Sequence, residues 1–180
     1  MIRTILTHGA IGALIVAIPM IVGMTLWPVE EGPAGGAVVG YATILVALTL
    51  VFLGVKRHRD KALGGVIRFL PAFGIGLAIS AVASLGWVIG WEISLALTGF
   101  DFGAVYSEMM VEKAREAGAS EAELAKALAD AQAFATMYAN PLMRMPITFV
   151  EMFPIGVIVS LLTAGLLRNS RFMPARGGRA

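Results

Sequence analysis

Three polar side chains stand in a stretch where charge is costly. Arg144, Thr148 and Glu151 interrupt the apolar residues 142–167, and Glu92 closes the apolar run before it. At about 1.5 Å per residue, residues 142–167 can cross a hydrocarbon core of roughly 30 Å with some tilt. An ionisable group in such a place must be paired, or must face protein or water. Arg144, Thr148 and Glu151 lie at i, i+4 and i+7 and share one helix face. Helical side chains lean toward the N-terminus, so Glu151 is predicted to lean toward Arg144 across a rise of about 10 Å. Pro154 has no N–H for the carbonyl of Val150, which predicts a kink and a bare acceptor beside Glu151. Such a set has two readings: a clamp joining two helices, or a site for a proton, a cation or another solute. Tyr41, near the acidic end of an earlier apolar stretch, is grouped with Glu92, Arg144, Thr148 and Glu151 as the candidate intramembrane polar site.

The elements that must position these groups follow from where charge is missing. The chain is 58% hydrophobic and 14% charged, with a mean hydropathy of +0.81, whereas soluble domains are about one-quarter charged. Residues 4–29, 32–55 and 69–91 contain no Asp, Glu, Lys or Arg. With 142–167 they make four candidate spans, at about 5–27, 38–55, 69–97 and 142–167. The predicted fold class is therefore all-α and integral to a membrane. It is a four-transmembrane-helix bundle occupying residues 1–170, followed by a basic, disordered tail over 171–180. Its first span is longer than the 7–15 residues of a secretory apolar region, which favours a retained helix over a signal peptide. Trp27 and Pro28 mark the end of that span, and 30–36 reads as an acidic, turn-rich connector.

The cluster Lys56, Arg57, Arg59, Lys61 and Arg68 reads as a cytoplasmic basic anchor. Net charge is +2, but the basic residues lie beside the spans, as topology alone requires, so nucleic acid is not an expected partner. With no cysteine and with only His8 and His58, far apart in sequence, no metal or other cofactor is expected. Gly76, Ser80 and Ser84, the pair Gly86 and Gly90, and Gly156 with Ser160 recur every four residues. Such ladders permit close helix approach in lipid and suit either internal packing or a homo-oligomer. Between the third and fourth spans, residues 101–140 are predicted to form a helical hairpin. Its first helix carries Phe102, Val105, Tyr106, Met109 and Met110. Its second opens on a capping box, Ser120 with Glu123, and ends at Asn140-Pro141.

Threading follows from the distribution of Lys and Arg. Arg3, the segment 56–68 and the tail from Arg168 hold ten of the fourteen basic residues on one side. The other side holds Lys113, Arg115, Lys126 and the border residue Arg144, along with most of the carboxylates. Four spans with both termini in the cytoplasm of an inner membrane, and an extracytoplasmic hairpin, satisfy this. Glu92 then lies about 36 Å along the helix from Arg68, and Glu151 about 25 Å from Arg168, so both acids occupy the outer half.

Several short pieces, taken in order, resemble a bacterial membrane family known as domain of unknown function 4199. They are Gly40-Tyr41, Gly54 with Arg59-Asp60, Gly64-Gly65, Trp91-Glu92, Phe102 with Tyr106, and Gly118-Ala119-Ser120. Tyr138-Ala139-Asn140-Pro141 and the run from Thr148 to Gly156 complete the set. The resemblance covers nearly the whole chain and implies a four-pass inner-membrane protein with no established activity or catalytic residues. Glu92 and Glu151 fall inside the resembling pieces.

Three function classes are compatible with these residues. A non-enzymatic membrane component, acting by helix packing or partner binding, needs no nucleophile–base constellation. A small oligomeric transporter would pass a proton or a cationic solute by Glu92 and Glu151. A membrane-embedded lipid enzyme would need the two acids as an acid–base pair, without a His, Ser or metal companion at recognisable spacing. The first is the expectation.

Overall fold

The computed structural model describes residues 1–26 and 33–175, with side chains in the second stretch from Val38 onward. Six helices follow one another: α1 Ile2–Leu26, α2 Pro33–Ala62, α3 Phe69–Thr98, α4 Phe102–Glu116, α5 Glu121–Ala139 and α6 Pro141–Leu167. No strand occurs among the described residues. Four helices, α1, α2 from Val38, α3 and α6, are long and apolar enough to cross a membrane. Trp27, Pro28 and the first part of the 30–36 connector lie outside the described residues. Pro33 already opens α2, so the later part of that connector is helical rather than turn.

Helix ends are set by local chemistry. Gly99, at φ 65°, ends α3 and returns its N–H to the carbonyl of Leu95. Asp101 caps α4 by accepting from the Ala104 N–H at 3.0 Å. The Ser120–Glu123 capping box is formed in both directions. Its bonds to the Ser120 backbone and hydroxyl hold the Glu123 carboxyl below the usual carboxylate range. Asn140 ends α5 and also caps α6, taking the Leu142 N–H at 3.0 Å, with Pro141 in the first turn where no N–H is needed. α2 runs on through residues 56–62, past the 55 expected for its span, with Lys56 paired to Asp60 one turn on.

α3 is the helix that the other spans share. On one side α1 lies almost in backbone contact with it. A Cβ at Gly90 would sit 2.9 Å from the backbone of Ala17, and one at Gly86 would overlap Ala13. On the other side α6 approaches through Gly76 against Ser160 and Gly156 against Ser80. Ser80 Oγ donates to the Gly156 carbonyl at 3.2 Å, and Ser160 to the same carbonyl at 2.7 Å. Of the two uses the small-residue ladders suit, internal packing is the one seen here: Gly76, Ser80, Ser84, Gly86, Gly90, Gly156 and Ser160 are all buried within the one chain. α2 fills the remaining crevice with Ile44, Leu48, Val51 and Val55, packed on Ile75, Ile79 and Met152. Outward-facing positions are apolar too, as at Leu14, Ile18, Leu45, Leu85, Ile89, Val150, Ile158 and Leu162. Apolar surface outside as well as inside fits a helix set surrounded by lipid.

The α1–α3 seam yields a direct test. Gly86→Ala places a methyl where the Ala13 backbone lies, so it should destabilise the protein by roughly 1–3 kcal/mol, as overpacking does. Gly165→Ala, where the new Cβ meets nothing within 4 Å, should be neutral or mildly stabilising. Thermal unfolding of both variants in the same detergent compares them.

Candidate functional site

Glu92 comes from the last turns of α3 and Arg144 from the first turns of α6. Arg144 Nε donates to Glu92 Oε1 at 2.7 Å and Nη2 donates to Oε2 at 2.5 Å. The pair is a parallel fork, the geometry in which guanidinium and carboxylate bind most strongly, and both side chains are largely withdrawn from solvent. Arg144 Nη1 reaches the Tyr138 carbonyl at 3.4 Å. Thr148, buried one turn on, returns its hydroxyl to the Arg144 carbonyl at 3.0 Å.

Glu151 is not part of this fork, contrary to the expectation that it approaches Arg144. The guanidinium is taken by Glu92 from the neighbouring helix, which binds Nε and Nη2 along one edge, whereas Glu151 is separated from it by two turns of rise. Glu151 instead accepts from the Trp87 indole N–H at 3.2 Å, and it is exposed to what surrounds the protein. Tyr41 is also exposed, with no hydrogen bond to Glu92 or Arg144. Its neighbour Gly40 lies against the Trp87 ring, where a Cβ would be 3.9 Å away. The five grouped residues therefore divide: Glu92, Arg144 and Thr148 form one cluster, Glu151 pairs with Trp87, and Tyr41 is exposed and bonded to none of them.

Above the fork stands an aromatic cluster. Trp91 Nε1 donates to the Tyr138 hydroxyl at 2.8 Å and the Trp91 ring meets Phe102 edge-on at 5.3 Å. Phe102 packs on Tyr106 and Tyr138, and Phe134 on Tyr106 and Tyr138, with ring centroids 5.0–5.5 Å apart. Ser107 adds a bond to the Ala131 carbonyl at 2.8 Å, joining α4 to α5. Sequence reasoning missed Trp91 and Tyr138 as contributors. The spacing of Phe134 and Tyr138 by one turn, matching Phe102 and Tyr106, was the available signal. Burial pushes the Tyr138 phenol up, opposed by Thr148 and Trp91.

The basic run is not uniform. Arg57, Lys61 and Arg68 are exposed and Lys56 is half-buried on Asp60, but Arg59 is fully buried. Its Nε donates to Asp60 at 2.7 Å, Nη1 to the Phe172 carbonyl at 3.0 Å, and Nη2 to the Met173 carbonyl at 2.5 Å. Nη1 also lies 3.5 Å from the Leu167 carbonyl at the end of α6. Arg59 is thus a tie between the ends of α2 and α6 rather than a headgroup-facing anchor, filling acceptors that a helix C-terminus leaves open. The start of the tail is held with it: the Phe172 ring meets Phe52 edge-on at 6.4 Å. Arg176 and Arg179 lie outside the described residues. Among the described residues no three His, Asp or Glu side chains converge as metal ligands.

Four helices long and apolar enough to cross a membrane, three of them packed on α3 and tied by polar contacts near their ends, fit a multi-pass membrane protein. The chain belongs to the family described as Protein of unknown function (DUF4199), whose model matches residues 7–169. No curated protein and no solved structure matches it.

Two outcomes test these contacts. Arg59→Lys keeps the charge but loses the fork, and should destabilise the protein by about 2–4 kcal/mol while exposing Phe172 and Met173 to protease. Limited proteolysis followed by mass spectrometry reads the second effect. For Tyr138, the folded phenol ionises above its unfolded value, so the folded form loses stability as pH rises past about 10, where only the unfolded phenol ionises. Tyr138→Phe should remove that alkaline loss, measured as melting temperature against pH.

Proposed function

We propose that the chain is a non-enzymatic component of a bacterial inner membrane, acting by packing and partner binding. In this reading α1, α2, α3 and α6 form a four-span bundle with both termini in the cytoplasm. α4 and α5 form a helical hairpin on the outer side. The bias of Lys and Arg toward Arg3, residues 56–68 and the tail supports that orientation. The aromatic contacts from Trp91 to Phe102 and Tyr138 support a hairpin fixed to the outer end of α3.

The observation that carries the reading is the Glu92–Arg144 fork. Both oxygens of Glu92 are committed to one guanidinium, which suits a fastening between α3 and α6 and ill suits a proton-transfer group. Glu92 and Glu151 share no hydrogen-bond partner, whereas an acid–base pair must converge on one substrate.

Glu92→Gln should therefore lower stability in detergent by roughly 3 kcal/mol, because Arg144 is left without its counter-charge. Exchanging the pair, Glu92→Arg with Arg144→Glu, should recover part of the loss. A Glu92→Gln protein that unfolds and assembles like wild type, yet loses a lipid-modifying or solute-moving activity, would overturn the reading.

A further inference from the structure

A lateral crevice runs between α2 and α6. Leu45, Leu48 and Phe52 on α2 face Val159, Leu162 and Leu166 on α6 across a groove of about 390 Å³. Both sets recur at i, i+3 and i+7, so each wall is one face of its helix. Followed toward the start of α6, the same strip carries Ile155 and then Glu151, while the α2 strip carries Tyr41 one turn before Leu45. Trp87 of α3 donates its indole N–H to Glu151 at that end, and its ring lies near Gly40 of α2, where an added Cβ would be 3.9 Å away.

The crevice is lined mainly by hydrocarbon, with Thr49 and Thr163 among its residues, and Glu151 stands two turns beyond Val159 on the same strip of α6, about 12 Å along the helix. Among the described residues no cation lies within ion-pair distance of Glu151, and the nearest candidate on its own helix face, Arg144, is neutralised by Glu92. A carboxylate on the lipid-facing surface of a span is costly without a counter-charge. The Trp87 ring beside the carboxylate adds the aromatic surface that an ammonium favours.

We propose that this crevice binds an amphiphilic organic cation, its ammonium head on Glu151 beside Trp87 and its hydrocarbon tail in the α2–α6 groove. Charge complementarity selects this occupant. A phospholipid would bring its phosphate next to the carboxylate, and a neutral amphiphile would leave the carboxylate without a counter-charge. The proposal rests on the membrane-spanning reading above but not on the role of the Glu92–Arg144 fork, so the Glu92 variants and the Glu151 variants fail independently.

The test uses the full chain in phosphatidylcholine nanodiscs, titrated with dodecyltrimethylammonium and read by tryptophan fluorescence and thermal shift. Saturable binding is expected in wild type. Glu151→Gln should weaken it about tenfold or more, the loss of one charge-assisted contact. Leu162→Trp, which leaves Glu151 in place and fills the groove, should weaken it as well. Dodecanol, with the same tail and no charge, should not compete, and nanodiscs of phosphatidylethanolamine should leave the affinity unchanged. Equal affinity in wild type and Glu151→Gln, or unchanged affinity in Leu162→Trp, would overturn the proposal. So would competition by dodecanol or by phosphatidylethanolamine. A dimer that Leu162→Trp abolishes, with no cation bound by either form, would assign the groove to a second copy instead.

Discussion

A charge placed at the depth of a bilayer needs a partner there, and the layout of this chain follows from how each charge finds one. At one end of the helices Glu92 and Arg144 neutralise each other across α3 and α6. At the other end Arg59 is buried on Asp60 and on the carbonyls of Phe172 and Met173, so α2, α6 and the start of the tail are tied together. Each tie joins elements far apart in sequence, and each lies at a helix end, where unpaired backbone carbonyls add acceptors. Glu151 departs from this pattern, with an indole rather than a cation as its partner.

Between the two ties the helices are held by shape. Gly86 and Gly90 let α1 come to backbone distance of α3, and Gly76 and Gly156 do the same for α6. In lipid, where burying apolar side chains brings little net gain, such close approach and the hydroxyl bonds of Ser80 and Ser160 supply the attraction. α3 is consequently the most occupied span: small residues face α1 and α6, while Trp87 and Trp91 extend to α6 and to α4 and α5. The aromatic cluster then settles where α4 and α5 attach, because Phe102 and Tyr138 can both meet Trp91 only if the two helices fold back on each other.

The family to which the chain belongs supplies no activity, so function has to be argued from the surface. Two surfaces differ from their surroundings: the α2–α6 crevice, with Glu151 two turns beyond it on α6, and the α4–α5 pair, which presents exposed acidic residues such as Glu108, Glu112 and Asp130. Neither surface includes the fork that fastens α3 to α6.

Sequence alone determined the helical class, the number of long apolar helices and the capping of α5, because hydropathy and local side chain–backbone bonding are properties of contiguous residues. It also singled out Glu92, Arg144 and Glu151 as costly where they stand. What only the tertiary structure decided was partnership. Spacing along α6 points Glu151 toward Arg144, yet a guanidinium takes the carboxylate that can accept from two of its N–H groups at once, and that one comes from α3. For the same reason Arg59 read as one more surface cation in a basic run. Nothing within KRHRDK reveals that the carbonyls of Phe172 and Met173, more than a hundred residues on, close over it. The ladders of small residues were legible as contact faces, but whether a face meets its own chain or another copy depends on which helix the fold sets against it, and spacing within one helix carries no information about that.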